Sequence, residues 1–131
     1  MIGLDTNVLV RYIMQDEPRQ SARATALIDA LDADRPGFVG VVSVVELYWV
    51  LGSCYNLTKD QIGQALNLLL RSRQIVVDRA DQVLRALRMF EAGKGQFVDC
   101  LIERIADSAG CESIMTFDQQ AARHAGMTLL R

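Results

Sequence analysis

The sequence predicts an α/β fold with a mostly parallel sheet of roughly five strands, covered by helices on both faces. Three observations predict it. Short apolar runs alternate with longer segments whose apolar residues recur at helical spacing. Glycines and prolines punctuate their boundaries. Finally, strands separated by helices favour parallel pairing, which requires cover on both sides of the sheet.

Residues 2–4 read as a buried strand, followed by Thr6 or Asn7 as a cap for a helix from Val8 to about Met14. Pro18 suits a helix start, and Ala22, Ala26, Leu27, Ala30 and Leu31 carry helical spacing up to the turn Arg35-Pro36-Gly37. Residues 38–41 form the next expected strand. Ser43 then starts a helix to about Tyr55, and Thr58 caps another with Ile62, Ala65, Leu66 and Leu69 on one face.

Residues 75–77 are a short strand, and a helix from about 79 to 91 turns Val83, Leu84, Leu87 and Phe90 inward before Gly93-Lys94-Gly95 breaks it. A helix over about 96–108, a strand over 113–115, a helix over about 118–124 and a last strand near 127–129 complete the order. With 131 residues and no internal repeat or linker, the chain is expected to be one domain spanning 1–131.

A hydrophobic share of 50% with 23% charged residues excludes a disordered chain. The first basic residue is Arg11, and the apolar run 47–51 is too short to span a bilayer, so a cytoplasmic protein with no membrane contact is expected. Cys54, Cys100 and Cys111 are odd in number and lack C-x-x-C spacing, which argues against disulfides or zinc and for small buried hydrophobes. His124 is the sole histidine, so any catalysis would rest on carboxylates. A net charge of −2 carries no nucleic-acid footprint by itself, yet acids neutralised by metal ions would leave the scattered arginines free to meet phosphates.

Four acids stand out. Asp5 follows the first strand, at the turn that lines the ligand crevice of a parallel sheet, although an acid there can also serve as a cap. Glu46 lies just past the second strand, and Ser43-Val44-Val45-Glu46 also matches a capping box. Asp99 interrupts the otherwise apolar Phe97-Val98-Asp99-Cys100-Leu101-Ile102. At about 100° per residue, it lies on the margin of a face formed by Val98, Leu101, Ile102 and Ile105. Asp118 follows the strand before it and fits an N-cap. Together they would converge on the carboxyl edge of the sheet. Two carboxylates about 4 Å apart repel by roughly 4 kcal/mol at an effective dielectric near 20, so the set requires protons or cations. An all-oxygen set suits Mg²⁺ or Mn²⁺.

The segments Leu4-Asp5-Thr6-Asn7-Val8-Leu9, Ser43-Val44-Val45-Glu46-Leu47, Phe97-Val98-Asp99-Cys100-Leu101-Ile102 and Thr116-Phe117-Asp118 resemble, in order and spacing, the PIN-domain ribonucleases, and more narrowly the VapC-type toxins. Asp107 is a small departure. The resemblance implies a PIN-like three-layer α/β/α sandwich and a Mg²⁺- or Mn²⁺-dependent endoribonuclease. It also implies restraint by a VapB-like antitoxin and a habit of forming homodimers. Asp5 and Asp99 match the principal metal ligands and catalytic acids, with Glu46 and Asp118 completing the shell directly or through water. Thr6, Asn7 and Thr116 match supporting polar positions.

Two alternatives carry over. One is a PIN nuclease of RNA processing outside any toxin–antitoxin pair. The other is an Asp-based phosphatase or receiver, disfavoured because Asn7 stands where such phosphatases need a second Asp. The apolar helix after Ser43 also needs cover on every side, either within the domain or, at Tyr48 and Trp49, from a partner.

Overall fold

The computed structural model describes every residue from Met1 to Arg131. Its contacts group into two compact units, Met1–Asp78 and Arg79–Arg131. The first unit contains β1 (Ile2–Gly3), α1 (Thr6–Met14), α2 (Pro18–Asp29), β2 (Gly37–Val39), α3 (Val41–Ser53), α4 (Lys59–Arg71) and β3 (Ile75–Val77). Its strands form a parallel sheet in the order β1-β2-β3, with Ile2 beside Gly37 and Gly37 beside Ile75. A Cβ at Gly37 would lie 2.8 Å from Leu4 Cδ1 and 2.9 Å from Leu31 Cδ1, so any larger residue at this centre forces those leucine side chains to shift.

Helix starts in this unit follow their chemistry. Glu17 caps α2 by accepting the N–H groups of Arg19 and Gln20, with Pro18 in the first turn. Thr58 and Gln61 form a reciprocal capping box on α4. Behind the sheet, Leu9, Ile28, Val39, Val44, Leu47, Leu51 and Leu66 are fully buried.

The second unit contains α5 (Ala80–Glu91), α6 (Phe97–Ser108), β4 (Met115–Thr116), α7 (Gln119–His124) and β5 (Thr128–Leu129). Phe90 and Phe97 join α5 to α6 edge to face, with ring centroids 6.2 Å apart. The strands β4 and β5 pair in parallel, Met115 beside Thr128. Ala121, Ala125 and Met127 form a small apolar cluster with Ile114.

The expected α/β order is present, with five strands and only parallel pairings. The ladders are grouped as three strands and two, each strand being only two or three residues long. Several local expectations are corrected. Helix α1 begins at Thr6, not Val8, and α3 at Val41, not Ser43. In α3 the Val41 N–H reaches Asp78 Oδ2 at 3.3 Å, so an acid from a distant segment supplies the cap.

Helix α2 ends at Asp29, well before the Arg35-Pro36-Gly37 turn, and Asp32 Oδ1 then accepts the N–H groups of Asp34 and Arg35. Its buried face is Ser21, Ala24 and Ile28; Ala22, Ala26, Leu27 and Ala30 are exposed. Leu84 and Ile102 also face solvent. Of the cysteines only Cys100 is buried, while Cys54 and Cys111 are exposed. Trp49 is 48% exposed, so α3 is not wholly covered within the chain. No helix is long and apolar enough to cross a membrane.

Leu47→Ala, at a fully buried position, is expected to cost about 2–5 kcal/mol. Val42→Ala, at a position 70% exposed on the same helix, should change stability by less than about 0.5 kcal/mol. Urea unfolding monitored by circular dichroism distinguishes the two. Ser21→Ala should stabilise the protein, because it removes a buried Oγ that has no hydrogen-bond partner.

Candidate functional site

In the first unit the site grows from the junction between β1 and α1. Leu4 is buried, and the next residue, Asp5, is the N-cap of α1, with its Oδ1 accepting the Thr6 N–H at 2.7 Å. The cap is therefore Asp5 itself, not Thr6 or Asn7. Only one carboxylate oxygen is used in this bond, and the side chain remains exposed. Thr6 is turned inward, 7% exposed, and its Oγ1 donates to Glu46 Oε1 at 2.8 Å.

The position of Glu46 in α3 rules out its capping-box reading. Helix α3 starts from Gly40, which has no side chain to cap it, so Glu46 lies in the second turn and away from a capping box. Asp5 and Glu46 thus lie on either side of Thr6 and share the wall of one hollow of about 700 Å³ with Asn7.

The hollow runs between α1 and α3. Along α3 it is lined by Glu46, Val50 and Cys54, successive turns of one face. At 1.5 Å per residue, Glu46 and Cys54 are about 12 Å apart along the axis. Cys54 is thus too far along the helix to share a small cation with Glu46. At the Cys54 end, Arg11 Nη1 donates to Tyr55 Oη at 3.2 Å and to Asp16 Oδ1 at 3.1 Å, while Tyr55 Oη donates to Asp16 Oδ2 at 2.7 Å. The Tyr55 hydrogen bond holds the Asp16 carboxyl below its usual range and pushes the Tyr55 phenol up. Sequence reasoning did not single out Arg11, Asp16 or Tyr55. The i, i+4 spacing of Asn7 and Arg11 was a usable signal; the link to Tyr55 had none.

In the second unit, Asp99 occupies the first turn of α6 and is partly buried. Burial chiefly, and then the neighbouring Asp118, raises its pKa above the usual carboxylate value. Asp118 is the N-cap of α7, its Oδ1 accepting from Gln120 N at 2.8 Å and Ala121 N at 3.2 Å. Thr116 Oγ1 accepts the Asp118 N–H at 3.0 Å, fixing the loop that presents this acid.

Each unit therefore brings two of the four acids together: Asp5 with Glu46, and Asp99 with Asp118. Within neither unit does a third acid, histidine or cysteine complete a metal-binding group. Pairs suffice for Mg²⁺, which keeps several waters and binds through one or two carboxylates plus substrate phosphates. The donor chemistry fits such an ion: all the candidate donors are oxygens, and the Asp99–Asp118 repulsion is of the kind a cation relieves.

Comparison with known proteins gives the class that this arrangement belongs to. The PIN domain family model matches residues 2–127, and the chain is a member of the PIN domain family. The match runs through both compact units and includes all four acids. A VapC ribonuclease of Aquifex aeolicus (strain VF5) is 20% identical over 117 residues, covering 89% of this chain and 87% of that protein. No solved structure gives a significant match.

A raised folded-state pKa means that the native protein binds more protons than the unfolded chain above 3.8, the ordinary value for an aspartate. The charged Asp99 therefore opposes folding as pH rises through that window. Asp99→Asn, assayed in EDTA, is expected to melt at a higher temperature than the parent at pH 7 and to lose this advantage below pH 3.8. An advantage independent of pH would show that the asparagine acts by another route.

Proposed function

We propose that the protein is a metal-dependent endoribonuclease of the VapC type, the toxic member of a toxin–antitoxin pair. The observation that carries this reading is the coincidence of the PIN family match with two acid pairs held at strand-to-helix junctions and in the first two turns of helices. Its similarity to a VapC ribonuclease supports RNA as substrate.

In this reading Asp5 and Asp99 are the principal ligands of Mg²⁺ or Mn²⁺, with Glu46 and Asp118 binding directly or through water. A divalent ion bound there would lower the pKa of a water and neutralise the acids. The residues do the rest. Thr6 orients Glu46 through its hydroxyl, and its amide N–H leaves Asp5 one uncommitted oxygen. Asn7 lines the same wall and Thr116 steadies Asp118. One carboxylate takes the proton from the attacking water as its oxygen bonds to phosphorus. The bond to the 3′ oxygen breaks, and that oxygen gains a proton. The products carry a 5′-phosphate and a 3′-hydroxyl.

The partners of this reading are a VapB-like antitoxin and a second copy of the chain, acting in the cytoplasm. Tyr48 and Trp49 pack edge to face at 5.3 Å, and the exposed Trp49 supports a contact with one of those partners.

The purified chain is expected to cleave RNA with Mg²⁺ or Mn²⁺ and to be silenced by EDTA. Asp5→Ala and Asp99→Ala should each lower kcat by about 100-fold or more, and full activity in either would refute the ligand assignment. A short reading frame beside the gene should encode a DNA-binding antitoxin whose co-expression restores growth. Its absence favours the RNA-processing nuclease instead. Trp49→Ala should weaken dimerisation or antitoxin binding, read by analytical ultracentrifugation and calorimetry; no change in either removes Trp49 from both interfaces.

A further inference from the structure

We infer that the Arg11–Tyr55 end of the hollow between α1 and α3 is a nucleoside subsite, which receives the base of the nucleotide whose phosphate lies at the Asp5–Glu46 end. The inference rests on the nuclease reading of that acidic end.

Its first support is shape. Thr6 touches Glu46 and Arg11 touches Tyr55, so α1 and α3 flank the hollow along its length. Its volume of about 700 Å³ lies within the range of about 300–1,000 Å³ typical of small-molecule sites. The second support is the division of chemistry along its axis. Carboxylates occupy one end, Val10 and Val50 line the middle, and an aromatic ring with a guanidinium occupies the other. With a divalent cation held by the carboxylates, a nucleotide would match this order, its anionic phosphate at the acidic end and its flat base with polar edges at the other.

The third support is rigidity. Tyr55 is held by its bonds to Arg11 and Asp16, and Arg11 is held further by Nε donating to Gln20 Oε1 at 2.8 Å. A ring fixed in this way loses little freedom when a base stacks on it. The Arg11 bonds use Nε and Nη1, which leaves Nη2 to donate to a base edge.

Cys54 provides a reporter, since it lines the same end and is exposed. In a Cys111→Ser background it is the only exposed thiol. With Mg²⁺ present, nucleoside 5′-monophosphates should slow alkylation of Cys54 by iodoacetamide, whereas inorganic phosphate should not. Equal protection by phosphate, or none by any nucleotide, overturns the subsite.

Loss of a stacking ring weakens nucleotide binding about five- to hundredfold. Tyr55→Leu should therefore raise the KM for RNA by that factor with kcat largely retained, while Tyr55→Phe, which keeps the stacking ring but loses the hydroxyl bonds that fix it, should raise the KM by a clearly smaller factor. Equal damage in both variants would make the tyrosine a structural tie and overturn the proposal. Cleavage of RNA without nucleotide protection refutes the subsite alone. Protection without cleavage upholds the subsite and refutes the nuclease reading.

Discussion

The buried hydroxyl of Thr6 carries the constraint on which the first unit's acidic wall depends. Its backbone N–H is bound by Asp5 and its Oγ1 by Glu46, so one residue in the first turn of α1 fixes two carboxylates on two different helices. A buried hydroxyl needs a partner, and an acceptor-only carboxylate meets its single donor. Valine, of similar shape, would leave Glu46 without this bond. Because Leu4 is buried in the core just before it, the junction has little freedom to move. The rigidity of the sheet is in this way transmitted to the acids.

The two acid pairs are built differently. Asp5 and Glu46 are separated by a neutral donor and stay exposed, whereas Asp99 is partly buried and feels Asp118 directly. Desolvation is the larger influence on Asp99, so the protein itself disfavours its charge. Groups with that property are concentrated at functional sites, where a counter-charge supplied by a ligand recovers the cost of keeping them ionised.

What could be read from the sequence was mostly local. The Thr58 cap, the Asp118 cap and the inward face of α4 all follow from interactions within one helix turn. The order of strands and helices was equally legible. Tertiary contacts overrode the remaining signals. Ser43-Val44-Val45-Glu46 has the letters of a capping box, but Asp78 satisfies the helix start from 37 residues away and shifts it upstream. Asp5 took the cap assigned to its neighbours because Thr6 was drawn inward towards Glu46. The buried face of α2 is not legible in its sequence because alanines carry little directional information, and a buried serine has no apolar signature. The four acids were identifiable by type and position, whereas the Arg11–Tyr55 contact spans 44 residues and left no trace in local pattern.

The brevity of the strands has a consequence for how the protein behaves at high concentration. The outer strands of the three-stranded sheet, β1 and β3, are two and three residues long. Edge-to-edge association of sheets needs a run of unpaired backbone donors and acceptors, and very short edges offer few. The sheet thus orders the acidic junction of the first unit while presenting a poor template for fibrillar growth, and self-association by strand addition is disfavoured by length alone.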